Sequence, residues 1–271
     1  MSVPGFVASG IACGIKESGA PDLALVSTAD GRPVPAAGVF TSNLAAAAPV
    51  QVSRAHLAAT GGYASAVVIN SGNANAATGA TGRDQAEQTC ALVAEGLGCR
   101  PEEVLVCSTG LIGIPLPFAA LRSGVAPVVA ARDAGGFPAA ALAMMTTDTG
   151  PKDVVHPGDG FVMRGIAKGA AMLAPDMATM LAVLATDAAA TPAELQGFLR
   201  AAVARSFNEL SVDGATSTND TVLAFAAGGA GPRSGMAGAM AAVCAELAPL
   251  MADDAEGATK RARVRVVGAA S

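Results

Sequence analysis

Apolar residues in this chain fall into short runs separated by polar, Gly-rich or Pro-rich punctuation, and two periodicities alternate along it. Runs rich in Val, Ile and Leu predict strands over 38–41, 66–70, 104–108, 179–186 and 261–267. Between them, Ala-rich stretches with helical spacing predict helices over 84–96, 117–130, 138–145, 192–204 and 236–252. The sharpest start signal is Thr191-Pro192-Ala193-Glu194, with Thr at the N-cap, Pro at the first helical position and Glu two further on, a capping box. Leu195, Phe198, Leu199, Ala202 and Val203 then share one face, which must pack inward. Strands and helices intermixed in this way predict an α/β (α+β) fold of layered sheets flanked by helices. The last predicted strand alternates Arg261, Arg263 and Arg265 with Ala262, Val264 and Val266, which reads as a solvated strand face in preference to a basic patch for an anionic partner.

Composition sharpens this picture. Of 271 residues, 52% are hydrophobic and 14% charged, which argues against disorder. Aromatics are only 3% and Trp is absent, so Ala, Val, Leu and Met must fill the core, with glycines letting backbones approach closely. A formal net charge of −5 without a basic run argues against nucleic acid as the main partner. Cys13, Cys90, Cys99, Cys107 and Cys244 are scattered, with no C-x-x-C pair, and read as buried thiols in a reducing compartment. The opening MSVPGFVASGIACGIK lacks signal- or transit-peptide character, and apolar stretches such as 177–185 are too short to cross a bilayer. The expectation is a cytoplasmic protein without membrane partners.

Candidate chemistry is limited by the supply of histidine. His156 lies in a turn-rich stretch and His56 in an expected surface helix; both read as solvated or structural. No G-x-S-x-G elbow, Walker A loop, G-x-G-x-x-G after a strand or His-based zinc motif occurs. The polar run 213–220 lacks EF-hand spacing and reads as a region of Asx and Ser/Thr turns. An enzyme so built needs another base: a lysine, or the α-amine of a nucleophile exposed by chain cleavage. Thr179, after small Ala178 and before the apolar MLAVLA, is a candidate. Taken alone it is equally an ordinary β-former. Likewise Thr109-Gly110 reads as a strand-ending turn, Thr146 as a helix end, Lys168 as a surface lysine and Glu256 as a loop acid. Cys107 reads as a packed strand residue.

Eight segments in order change that reading. They are GIKESGAPDLALV, AGVFTSN, VVINSGNANAATG, VLVCSTGLIG, MMTTDTGPK, GIAKGAAMLAPDMATML, SFNELSVDGATSTNDTV and DAEGATK, and they span nearly the whole chain. Together they resemble the self-cleaving, threonine-nucleophile ornithine acetyltransferases. The resemblance implies an N-terminal-nucleophile fold of the ornithine acetyltransferase/aminopeptidase kind. It also implies cleavage of the Ala178–Thr179 bond, giving an α region 1–178 and a β region 179–271. Thr179 matches the nucleophile, Thr109 and Gly110 the oxyanion-stabilising pair, and Thr146, Lys168 and Glu256 substrate-binding positions.

The implied reaction is ping-pong transfer of acetyl from N-acetylornithine to glutamate through an acyl-threonine, yielding ornithine and N-acetylglutamate in the cyclic arginine pathway. No metal or organic cofactor is expected, with acetyl-CoA as an optional co-substrate. The implied assembly is a heterotetramer of two α and two β pieces. Family members run on to an Asp-Pro-Asn-Trp-Gly-Arg segment and a substrate-binding tail that have no match here, so the expectation is either a fragment of a longer chain or a shortened homologue. The alternatives are a hydrolase of the amidase or aminopeptidase type with the same nucleophile, a relative with another acyl acceptor, or an inactive shortened homologue.

Overall fold

The computed structural model describes residues 1–172 and 180–268. In chain order its strands are β1 (Phe6–Ile11), β2 (Leu23–Thr28), β3 (Val34–Phe40), β4 (Tyr63–Ala64), β5 (Ala66–Asn73), β6 (Val104–Leu111), β7 (Lys152–Gly158), β8 (Phe161–Lys168), β9 (Leu181–Ala189) and β10 (Thr221–Pro232). The helices are α1 (Ala48–Ala59), α2 (Gly79–Leu97), α3 (Phe118–Ala130), α4 (Phe137–Ala143), α5 (Pro192–Ala204) and α6 (Met236–Asp253). Two sheets form, ordered β1-β2-β5-β6 and β4-β3-β10-β9-β8-β7. Within them β5 pairs with β6 in parallel, as does β9 with β10.

Strand alternation explains the layers. On β9, Leu181, Val183 and Ala185 face the space between the sheets, where they meet Leu223 and Phe225 of β10, Val67 and Ile69 of β5, and Leu105 and Cys107 of β6. The other face of β9, with Ala182, Leu184 and Ala188, packs under Leu195, Leu199 and Val203 of α5 and Met240, Val243 and Leu247 of α6. Ala66 and Val68 of β5 and Val104 and Val106 of β6 lie under Cys90 and Val93 of α2 and Leu121, Val125 and Val128 of α3. The order is therefore helices, sheet, sheet, helices. Strands buried on both faces must be apolar throughout, which accounts for the uninterrupted run at the start of β9. Helix α6 is long and apolar enough to span a membrane by composition, yet its buried side chains join the core against the larger sheet.

Small residues set the spacing. A Cβ on Gly10 would stand 2.0 Å from the Ala139 carbonyl oxygen, so only glycine lets α4 settle on β1. Helix α5 starts at the predicted capping box: Glu194 N–H donates to Thr191 Oγ1 at 3.3 Å, and Thr191 N–H donates to Glu194 Oε2 at 2.9 Å.

Several expectations need correcting. Residues 261–267 form no strand; the segment is exposed and pairs with nothing in a ladder among the described residues. Helix α2 begins at Gly79, ahead of the expected 84. Strands β1, β2, β4, β7, β8 and β10 go beyond the expected set; glycines or charges interrupt the apolar pattern of β1, β7, β8 and β10. Arg164 in β8 is the clearest case: its guanidinium pairs with Asp153 on β7 (Nε to Oδ1 2.8 Å) and stacks over Phe137. His56 is not on a surface face. It is buried, with Nδ1 2.8 Å from the Val104 carbonyl and Nε2 2.9 Å from Glu87, tying α1 to β6 and α2. All five cysteines are free, and burial pushes the Cys107 thiol up to about 12, in keeping with a packed strand residue.

Glycine substitutions of opposite sign test this packing. Gly10→Ala is expected to lower unfolding free energy by about 1–3 kcal/mol through overpacking. Gly197→Ala, on α5 with open space around the new methyl, should raise it by about 0.5–1 kcal/mol. Urea denaturation midpoints of the two variants measure both.

Candidate active site

The two sheets meet at one end of the molecule, where β5, β6 and β8 finish and β9 and β10 begin. A cavity of about 390 Å³ opens there, and Thr109, Gly110, Thr146, Lys168 and Glu256 all line it, together with Lys16, Ser217 and Asn219. Five side chains or backbone positions singled out in the sequence are thus brought together from four separate segments. Ala178 and Thr179 lie outside the described residues. At the start of β9, Leu181 pairs with Lys168 on one side and with Thr221 on the other.

Glycine is needed at 110 for two reasons. Its φ is +133°, and a Cβ would stand 2.3 Å from the Gly72 carbonyl carbon and 2.5 Å from the Asn73 nitrogen. The ends of β5 and β6 cross too closely for any side chain. Just beneath, Asn219 Nδ2 donates to the carbonyls of Ala74 (2.7 Å) and Ser108 (2.9 Å), which joins the lead-in of β10 to the first sheet. Thr41 Oγ1 donates to the Ser217 carbonyl at 2.8 Å. The run 213–220 is therefore turn-rich structure, as expected. It also supplies Ser217 and Asn219 to the cavity wall, which the sequence did not signal.

Lys168, which read alone as a surface lysine, is buried. Its Nζ donates to Thr146 Oγ1 at 2.7 Å and to Thr109 Oγ1 at 3.3 Å, and Asp148 Oδ2 lies 3.8 Å away. Burial lowers the Lys168 pKa; Asp148 opposes that, while Lys152 and Lys16 reinforce it. Burial alone would raise the Asp148 carboxyl, but Lys168, Lys152 and the amides of Gly169 and Thr146 outweigh it and hold the group below the ordinary carboxylate range. Lys152 Nζ donates to Asp148 Oδ1 at 2.7 Å and also to Asp254. Two cations and two carboxylates thus balance under the cavity floor. Asp254 further accepts from the Thr149 amide at 3.0 Å, and Glu256 N–H donates to the Ala170 carbonyl at 2.6 Å. These bonds carry the chain after α6 back to the cavity and leave Glu256 exposed at its rim.

Lys16 is a cavity residue that sequence reasoning did not single out, although it lies within the GIKESG stretch. Its Nζ donates to the carbonyls of Pro21 and Met145, both at 2.7 Å. Asp22 shapes its loop by accepting from the amides of Cys13 (2.7 Å), Ile15 (2.7 Å) and Lys16 (2.9 Å). Among the described residues, no three His, Cys, Asp or Glu side chains gather closely enough to hold a metal ion.

The sequence profile of the ArgJ family matches residues 7–271. The chain belongs to the ArgJ family. The arginine biosynthesis bifunctional protein ArgJ of Streptomyces avermitilis is 50% identical over 270 residues, 98% of this chain and 70% of that protein. Its namesake from Thermobifida fusca is 46% identical over the same share of each. Among solved structures, ornithine acetyltransferase complexed with ornithine from Mycobacterium tuberculosis matches with a TM-score of 0.60 and 46% identity, over 64% of this chain and 92% of that one. ArgJ of Bacillus halodurans matches with a TM-score of 0.55 and 31% identity, over 65% and 92%. A Burkholderia sp. beta-aminopeptidase, 14% identical with a TM-score of 0.53 over 92% of this chain and 84% of that one, shares the fold alone.

In this ArgJ-family chain the floor of the cavity depends on Asp148. Removing its charge leaves Lys168 and Lys152 without their shared buried counter-ion, and Asp148→Asn is expected to cost about 3–5 kcal/mol of stability. A carboxyl depressed on folding stabilises fully above its unfolded pKa, near 4, and that contribution is lost as pH falls through the lower folded value. Acid-unfolding curves check this: the variant should be less stable at neutrality and lose less on acidification than the parent.

Proposed function

We propose that this ArgJ-family chain is an ornithine acetyltransferase of arginine biosynthesis, moving acetyl from N2-acetylornithine to glutamate through an acyl-Thr179 intermediate after self-cleavage of the Ala178–Thr179 bond. The observation that carries this reading is the convergence of Thr109, Gly110, Thr146, Lys168 and Glu256 on one cavity at the entry to β9. The five residues come from four separate segments of the chain. A site for a small bifunctional substrate does require such a grouping.

Each residue has a chemical task. The Thr179 α-amine, freed by cleavage, has an ordinary pKa of about 7.7–8.0 and can accept the hydroxyl proton near neutrality without a histidine. It then returns a proton to the departing ornithine amine. The Gly110 amide and the Thr109 hydroxyl stabilise the oxyanion, and removing one such donor typically costs about 10²–10³ in rate. Lys168, desolvated and braced by two threonine hydroxyls, offers a cation to a substrate carboxylate. Glu256 at the rim suits the ammonium end of an amino-acid substrate. Acetyl-CoA remains an optional acetyl donor, and no metal or organic cofactor takes part.

Two further facts support cleavage and assembly. The solved family chains are matched over 92% of their own length by only 64–65% of this chain, the proportion expected if each is the piece upstream of a cut near 179. In this chain β9 and β10 lie between β3 and β8. The two pieces would therefore stay interleaved in one core, ready to pair as two α and two β chains in the cytoplasm.

Denaturing mass spectrometry of the active protein is expected to show pieces 1–178 and 179–271, with Thr179→Ala remaining intact and without transfer. A fully active uncut chain contradicts the reading. In assays with N-acetylornithine, acetyl should pass to glutamate with ping-pong kinetics. Acetate released at the same rate with or without glutamate makes the protein a hydrolase.

A further inference from the structure

The proposed transfer leaves one step without a base. Until the Ala178–Thr179 bond breaks, the Thr179 nitrogen is an amide and cannot take a proton. Neither histidine lines the cavity, and Lys168 is there a hydrogen-bond donor, to Thr109 and Thr146.

A different group stands free at the right place. Asp220 immediately precedes β10, is fully buried, and accepts the Met180 N–H at Oδ1 (3.0 Å). Met180 directly follows Thr179, so the carboxyl is anchored one residue from the bond to be cut. Thr221 N–H donates to the Met180 carbonyl at 3.1 Å, which holds the two segments in fixed register. Asp220 Oδ2 has no hydrogen-bond partner among the described residues. A buried carboxylate oxygen left unpaired is costly, and such groups in native structures call for a functional account. The transfer mechanism makes no use of it.

We infer that Asp220 is the proton acceptor and donor for self-cleavage, a role that rests on the acyl-threonine reading and ends once the Thr179 amine is free. Oδ2 takes the Thr179 Oγ proton as the oxygen bonds to the Ala178 carbonyl carbon. The carbon–nitrogen bond then breaks, and the same proton passes to the departing Thr179 nitrogen. Water opens the resulting ester, leaving a carboxyl group on Ala178 and the restored Thr179 hydroxyl.

The surroundings suit a group that must both take and give a proton near neutrality. Burial pushes the Asp220 carboxyl up to about 7, with the Met180 amide, the Ser217 hydroxyl and the Lys168 cation on β8 partly offsetting it. Ser217 Oγ accepts from the Asn219 amide at 3.0 Å. From β6 the titratable neighbour is the Cys107 thiol, beside Thr221 and pushed up to about 12, hence neutral.

The test follows the full chain, freshly made by cell-free translation, as it cuts itself at pH values below and above 7. Parent cleavage should rise through a single ionisation near 7 and level off. Asp220→Asn should fold with an unchanged circular dichroism spectrum, cut about 100-fold more slowly and lose that rise; Asp220→Gly should regain rate when formate is added. A parent profile flat across neutrality overturns the inference, even if the variants misfold. So does Asp220→Asn cutting at the parent rate, and in both cases the acyl-threonine reading still stands. A parent that never cuts overturns that reading itself, and the inference with it.

Discussion

The parallel pairing of β9 with β10 is the constraint on which the rest of the molecule depends. Both strands are covered on both faces, by the smaller sheet on one side and by α5 and α6 on the other. Their register is therefore doubly specified, since slipping either strand by one residue would exchange two complete apolar faces. Because they run in parallel, their starts lie at the same end of the sheet, alongside the end of β8. That end is where the cavity opens. A rigid two-sided core thus delivers Lys168, the residues preceding β10 and the entry to β9 to one place with little freedom to drift.

The polar groups at that place act as a second layer of support. Lys168 and Lys152 are offset by Asp148 and Asp254, and the amides of Thr146, Gly169 and Thr149 use up remaining acceptor positions. Buried ion pairs of this kind add little net stability but are costly to break from one side. Their consequence here is geometric: the segments bearing Thr146, Lys168 and Glu256 cannot move apart without uncovering a charge. Asp220 is the exception, since one of its oxygens is left out of every such network.

Much of this was readable in the chain before its structure. Residues of α5 showed their capping box and apolar face, and β5, β6 and β9 showed as Val/Ile/Leu runs, because two-sided burial leaves no polar positions to confuse the pattern. Strand β8 stayed hidden because its Arg164 is neutralised only across the sheet, by Asp153, a pairing that no local pattern encodes. The 261–267 segment misled in the opposite sense: its alternation of Arg with Val is right for a strand, but no partner strand stands beside it among the described residues. The site was legible through matched segments rather than through spacing. Thr109, Thr146 and Lys168 are unremarkable singly, and only the tertiary fold makes one hydrogen-bonded group of them. Ser217, Asn219 and Lys16 went unread because turn residues and a loop lysine carry the same local signature whether or not a cavity lies beside them.

The proposed transfer requires a threonine hydroxyl to carry the acetyl group between two amino acids. The most direct measurement is to mix the protein with N-acetylornithine in the absence of glutamate, quench in acid within one turnover, and map the peptides by mass. One acetyl group on Thr179, chased off when glutamate is supplied before the quench, is the predicted result. Ornithine release with no adduct on that residue, or with the acetyl group on another side chain such as Lys168 or Cys107, would contradict it.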